Sequence, residues 1–267
     1  MIYKDNDNKE PILAVLEKML ALAGAEQQAQ LAHALAGMRA QRGAERESAR
    51  LLDFHLKDST RTAVIHELRL VADDGEAALF DHLLIHRMAR FTILDTRHFG
   101  DALKITEQGG FLRWDAARKR FDPLPSPLAR SARQVRVLRR VLASIGQGEA
   151  AIEPLLLAAP GVRIERPRRF DTSMLVKPDQ FMERLNKSLE ATPIVSALGG
   201  LLRTGESDSI GDIAKKLVGL HRPSGSDYLA RFGIRRAATA ARAAGPEQAG
   251  AKRCGDQALA ADSMRST

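Results

Sequence analysis

At 267 residues, the chain is long enough to bury one substantial core. Its net charge of +8 and pI near 9.9 favour a polyanionic partner. No apolar run reaches the roughly 18–20 residues that a membrane helix needs, and the polar, acidic start is no signal peptide, so a cytoplasmic protein without a membrane partner is expected. The single cysteine, Cys254, cannot close an intramolecular disulfide or build a zinc ribbon, so no structural zinc is expected.

Taken in chain order, residues 10–56 are helix-forming, with Leu13, Leu16, Leu20, Leu31, Leu35 and Met38 at helical spacing. Gly43 is expected to interrupt them, leaving a second helical piece over residues 44–55 that turns Leu51, Leu52 and Phe54 inward. After Lys57 short β-type runs appear: residues 64–71, 77–86 and 91–95, the first two joined by the turn Asp73-Asp74-Gly75. Residues 102–106 and 110–114 predict a second hairpin around Glu107–Gly109. Pro123, Pro125 and Pro127 close the sheet section, and Pro127 opens a helix to about Ile145. Two more strands, residues 152–158 and 162–164, precede helices over residues 178–189, 193–202 and 210–221. The order predicts an α/β or α+β chain with a mixed sheet. From about His221 the sequence turns Ala-, Arg- and Gly-rich, and a disordered tail is expected.

Two acids stand out against this pattern. Asp81 sits inside the apolar run Leu79-Phe80-Asp81-His82-Leu83-Leu84-Ile85, and Asp95 ends Phe91-Thr92-Ile93-Leu94-Asp95. A carboxylate in a core-type strand is costly unless it is paired or holds a cation. If the two strands are neighbours, the acids come within reach of one Mg²⁺ or Mn²⁺. The plainer alternative pairs each with one of the many arginines.

Arg42-Gly43-Ala44-Glu45-Arg46-Glu47, then Asp81-His82-Leu83-Leu84-Ile85, Asp95-Thr96-Arg97-His98-Phe99-Gly100 and Ser126-Pro127-Leu128-Ala129-Arg130 follow one another in the order of a known pattern. In this the chain resembles the nuclease-related domain (NERD) family of the PD-(D/E)XK restriction-endonuclease-like superfamily. The resemblance implies a restriction-endonuclease-like mixed β-sheet flanked by helices, an α/β fold with helical N- and C-terminal extensions. It implies Asp81 and Asp95 as metal ligands, Glu47 as an auxiliary acid from the first helix, and Arg97 in the place of the family's lysine. The implied activity is Mg²⁺- or Mn²⁺-dependent hydrolysis of DNA. The sequence departs from the pattern at Arg97 and at Arg130, where a glutamine is expected. An arginine stays charged and can orient or stabilise but not deprotonate. The alternative is therefore a catalytically impaired nuclease-like module that binds nucleic acid.

Residues 113–140 carry nine basic residues against two acidic ones. Arg113, Lys119, Arg120, Arg130, Arg133, Arg136 and Arg140 are the expected contacts to DNA or another nucleic acid, with Arg133, Arg136 and Arg140 on one helix face. Trp114 and Phe121 read as core anchors rather than base-stacking platforms. The expected organisation is a helical extension at residues 1–41 and the nuclease-related domain at 42–165. A helical part follows at 166–221, then the basic tail at 222–267.

Overall fold

The computed structural model describes residues 1–190 and 209–223, all within the unit spanning residues 1–224. It is a mixed α/β fold whose main sheet is flanked by helices. Strand β1 (Ile2–Lys4) leads into α1 (Glu10–Leu22) and the long α2 (Ala25–Leu56). Strands β2 (Thr62–Val71), β3 (Ala77–His86) and β4 (Arg90–Arg97) form an antiparallel meander. Then come β5 (Ala102–Ile105), β6 (Phe111–Asp115), β7 (Arg120–Leu124), α3 (Leu128–Ser144) and β8 (Ala151–Ala158). Strands β9 (Arg163–Glu165) and β10 (Leu175–Val176) and helices α4 (Pro178–Glu190) and α5 (Ile210–Gly219) complete the described elements.

The main sheet has the order β1-β2-β3-β4-β8-β10. It is mixed because β8 lies parallel to β4, reached by a crossover through α3, and β1 lies parallel to β2. Helices α3 and α5 cover one face through Val137, Leu138, Val141, Ile213 and Leu217, packed on Ile65, Leu68, Phe80, Leu83 and Ile93. The opposite face is covered by α2 and α4, with Leu52, Leu56, Phe181 and Leu185 on Val64, Leu84, Leu94 and Leu157. Each such fully buried aliphatic side chain contributes about 1.5–3 kcal/mol, so the two helical layers hold the sheet between them.

Several expectations change. Gly43 does not break α2, which runs unbroken through it; glycine in a helix costs roughly 1 kcal/mol against alanine, too little to end a 32-residue helix packed on both sides of it, at Leu35 before and at Ala44, Ala49 and Leu52 after. The break lies at Gly24 instead. Strands β5, β6, β7 and β9 do not extend the main sheet but form a second one, β7-β6-β5-β9, joined to it by a core of Phe99, Leu103, Phe111, Leu156 and Val162. Pro123 is tolerated inside β7 because β7 is that sheet's edge, where a missing N–H interrupts no ladder. The helix expected at residues 193–202 and the tail expected from residue 222 lie outside the described residues, apart from Arg222 and Pro223.

One irregularity in the sheet places the polar residues. Ile65 and Leu68, and likewise Phe80 and Leu83, are three apart yet belong to the same core on the α3 side. Regular alternation would set residues two apart on one face. Both strands slip at the same level, between the pairs His66↔His82 and Leu68↔Phe80. Glu67 takes up the slip with φ 46°, a left-handed conformation that costs roughly 1–2 kcal/mol for a residue with a Cβ. Asp81 stands opposite Glu67, so the distortion is centred on the acid singled out by the sequence.

Candidate functional site

Asp81 on β3 and Asp95 on β4 occupy adjacent strands and are 3% and 0% exposed. Both are met from above by α3. Arg130 Nη2 donates to Asp81 Oδ1 at 2.9 Å and lies 2.9 Å from Asp95 Oδ1. One turn further along α3, Gln134 Nε2 donates to the same Asp95 oxygen at 3.2 Å and to the Leu79 carbonyl at 2.8 Å. Arg97 Nε donates to Asp95 Oδ2 at 2.8 Å, and the Thr96 amide donates to Asp81 Oδ2 at 2.9 Å. Two carboxylates are thus balanced by two guanidiniums. Burial, followed by the neighbouring Asp95 charge, pushes the Asp81 carboxyl well above its ordinary range despite Arg130. Burial opposes the charge on Arg130, but Asp81 and Asp95 outweigh it and hold Arg130 above its usual value.

The fit of a divalent cation can be judged from these donors. Mg²⁺ wants near-octahedral oxygen ligation. Among the described residues no group of three or more His, Cys, Asp or Glu side chains could hold a metal ion. The place between the two acids is taken by Arg130 Nη2. As arranged, the residues do not fit a divalent metal.

The glutamate that α2 brings toward this region is Glu45, not Glu47. Glu45 is 8% exposed, whereas Glu47, two residues or about 200° further round the helix, faces solvent. Glu45 Oε1 accepts from Gln41 Nε2 at 2.9 Å, and its Oε2 accepts from Lys9 Nζ at 3.0 Å. Lys9 also pairs with Glu67 at 2.9 Å. Burial works against the Lys9 ammonium, yet Glu45 and Glu67 raise it well above the ordinary lysine value. Gln41 clips α2 to the end of β4, donating to the Thr96 carbonyl at 2.6 Å and accepting from the His98 amide at 3.0 Å.

Gln41, Glu45, Gln134 and Lys9 were not singled out by the sequence reading. Gln134 carried a usable signal, because it stands four residues after Arg130 and three before buried Val137 on the helix face that turns to the core. Glu45 also carried one: it lies seven residues, two turns, before fully buried Leu52. Lys9 carried none. Of the histidines, His82 lies under the site, His86 bonds Thr62 and Thr92, and His98 is exposed.

The basic residues divide into two groups. Arg136 pairs with Glu76 at 2.8 Å, and Arg140 pairs with Asp74 and Glu76 of the β2–β3 turn. Arg120 pairs with Asp122 at 2.8 Å, and Arg130 is committed to the acids. The arginine stripe on α3 is therefore largely neutralised by the neighbouring turn. Arg113, Lys119 and Arg133 are exposed and carry no ion pair among the described residues. Trp114 and Phe121 meet edge-on at 5.2 Å across β6 and β7, half-buried and outside the three hydrophobic clusters of the described residues, so they are not the core anchors expected.

A helix, a three-stranded meander, a crossover helix and a parallel fourth strand, with two buried acids on the central strands, make a nuclease-like core. Residues 40–159, from within α2 to the end of β8 and its flank, match the family model of the nuclease-related domain. That family is consistent with the restriction-endonuclease-like superfamily. No curated protein and no solved structure matches the chain. No helix among the described residues is long and apolar enough to cross a membrane.

Proposed function

We propose that this protein is a nuclease-related module that binds the phosphate backbone of nucleic acid without hydrolysing it, an arginine standing where a catalytic cation would be needed. The observation that carries this reading is Arg130 Nη2 at 2.9 Å from both Asp81 and Asp95. A guanidinium there supplies a fixed positive charge but neither Lewis acidity nor a bound water to activate. Arg97 cannot act as a base, since a guanidinium keeps its proton throughout the accessible pH range. Exposed, unpaired Arg113, Lys119 and Arg133 and the net charge of +8 support contacts to phosphates, which are salt-sensitive and indifferent to sequence.

The test uses the full chain with a fluorescent single-stranded oligonucleotide and a supercoiled plasmid. Binding that weakens steeply with salt, without cleavage in Mg²⁺ or Mn²⁺ and without heat on titration of either ion, is the expected result. Cleavage that needs Mg²⁺ or Mn²⁺ and disappears in Asp95→Asn would overturn it.

The metal-dependent hydrolysis of DNA implied by the family retains one specific support: the core brings Asp81 and Asp95 to adjacent strands under one helix. It requires Arg130 to leave the acids. The double substitution Arg130→Gln and Arg97→Lys, which restores the family's residues at both departures, separates the two readings. On the binding-module reading, Mn²⁺ binding appears only in this variant.

A further inference from the structure

The opposite side of the sheet carries a second polar assembly. His66 on β2 and His82 on β3 meet across the strand pair, Nδ1 to Nδ1 at 2.8 Å, with their rings nearly perpendicular. Both are fully buried. His66 Nε2 lies 3.0 Å from Oδ1 of Asp53 on α2, whose side chain is 40% exposed. His82 Nε2 lies 3.3 Å from the hydroxyl of Thr96 on β4. Asp53, His66, His82 and Thr96 form an unbroken line from the α2 surface to the strand that bears Asp95 and Arg97.

The chemistry of the end group sets the direction of the line. An ionised carboxylate only accepts, so His66 donates its Nε2–H to Asp53. The contact between the two Nδ1 atoms holds a single proton. Two orders satisfy these conditions. In the first, neutral His66 accepts at Nδ1 from His82, and His82 Nε2 accepts the Thr96 hydroxyl. In the second, His66 is an imidazolium donating at both nitrogens, and His82 donates to Thr96. The second order places a full cation in a solvent-free position against a half-exposed acid, which costs far more than a neutral ring with both nitrogens bonded. The first order leaves every polar atom of both rings satisfied.

Thr96 is then fully committed. Its hydroxyl donates to His82, its amide donates to Asp81 Oδ2 at 2.9 Å, and its carbonyl accepts from Gln41 at 2.6 Å. We infer that Asp53 is a remote positioning residue of the carboxylate pair: by fixing the direction of hydrogen bonding through His66 and His82 it fixes the Thr96 side chain, and with it the amide that holds Asp81. Asp53 touches neither acid. The inference goes beyond nucleic-acid binding and does not rest on it.

Long-range proton–nitrogen correlation spectra of the ¹⁵N-labelled full chain test the direction. His82 is expected as the Nδ1–H tautomer and His66 as the Nε2–H tautomer. An imidazolium at His66, or an Nε2–H tautomer at His82, would overturn the inference from the unsubstituted protein alone. Asp53→Leu removes the acceptor at the surface. His66 is then expected to populate both tautomers, and the Thr96 amide to exchange with solvent faster, on the order of fivefold for one weakened hydrogen bond. Asp53→Glu is expected to restore both signals. Unchanged tautomers and unchanged Thr96 exchange in Asp53→Leu would equally overturn it.

Discussion

Asp81 and His82 are consecutive residues that send their side chains to opposite faces of the sheet, and the two faces solve the same problem in different ways. On the α3 face, two buried acids are held by two arginines and a glutamine. On the α2 face, two buried imidazoles are held by each other, by an acid at the surface and by a hydroxyl. The first arrangement depends on charge, which salt, protons or a phosphate can compete for. The second depends on the direction of hydrogen bonds between buried rings and a hydroxyl, and meets solvent at Asp53. A face held by charge is therefore backed by one held by directed hydrogen bonds, and Thr96 joins them through one residue.

The largest way to break this contrast is Arg130→Ala. It leaves Asp81 and Asp95 facing each other in the interior with only Arg97, Gln134 and the Thr96 amide as partners. Removing one partner of a buried ion pair costs 3–5 kcal/mol, and since 28% of the Arg130 side chain remains exposed, a loss of about 3 kcal/mol in urea unfolding is expected. A loss below about 1 kcal/mol would mean that the acids do not depend on Arg130. The histidine tautomers on the other face are expected to stay as they were.

Lys9→Met sharpens the contrast from a third position. Lys9 lies outside the nuclease-related segment and is the cation shared by the buried Glu45 and Glu67. Its ammonium is held above the ordinary value, so the stability it contributes is fully present at neutral pH and is lost only as pH rises beyond the usual lysine range. Methionine keeps the length and removes the charge. A loss of about 2 kcal/mol, constant from pH 6 to 8, is expected in thermal and urea unfolding. An unchanged stability would show the N-terminal segment to be an appendage rather than a support for the slip at Glu67.

Much of this was legible in the sequence where the signal is local. The meander strands, the turn at Asp73-Asp74-Gly75, the helix opened by Pro127 and the two acids in apolar runs follow from periodicity, turn chemistry and the cost of burying charge. What was missed is non-local. Strand β1 is three residues long and exists only because β2 lies beside it, and β10 owes its two residues to β8 in the same way. The choice of Glu45 over Glu47 needed the phase of α2 set from Leu52 rather than from the local motif. The slip at Glu67 has no sequence signature, because a glutamate in the left-handed region is held there by Lys9 and the Asp7 amide, each about sixty residues away. Each acid is met by an arginine, the plainer of the two alternatives the strand pattern left open, and the arginine between them comes from a helix that the strand spacing did not point to.

The smallest expected effect changes a slope rather than a contact, and it separates the two faces by their response to pH. The Asp81 carboxyl is raised by burial and by Asp95, so between the ordinary aspartate value near 3.8 and its folded value the native state binds the proton that the unfolded chain has already lost. Stability therefore falls as pH rises through that window. Asp81→Asn removes the titrating group but keeps the side-chain shape. Exposed acids such as Asp74 and Glu76, which are lowered and slope the other way, are common to both proteins and cancel in the difference. Measured as urea midpoints between pH 7.5 and pH 4.5, the wild type is expected to gain stability relative to Asp81→Asn as the pH falls. A relative loss on acidification would show that Asp81 is stabilised in its ionised form by Arg130, and the charged face would then be a settled ion pair rather than a contested one.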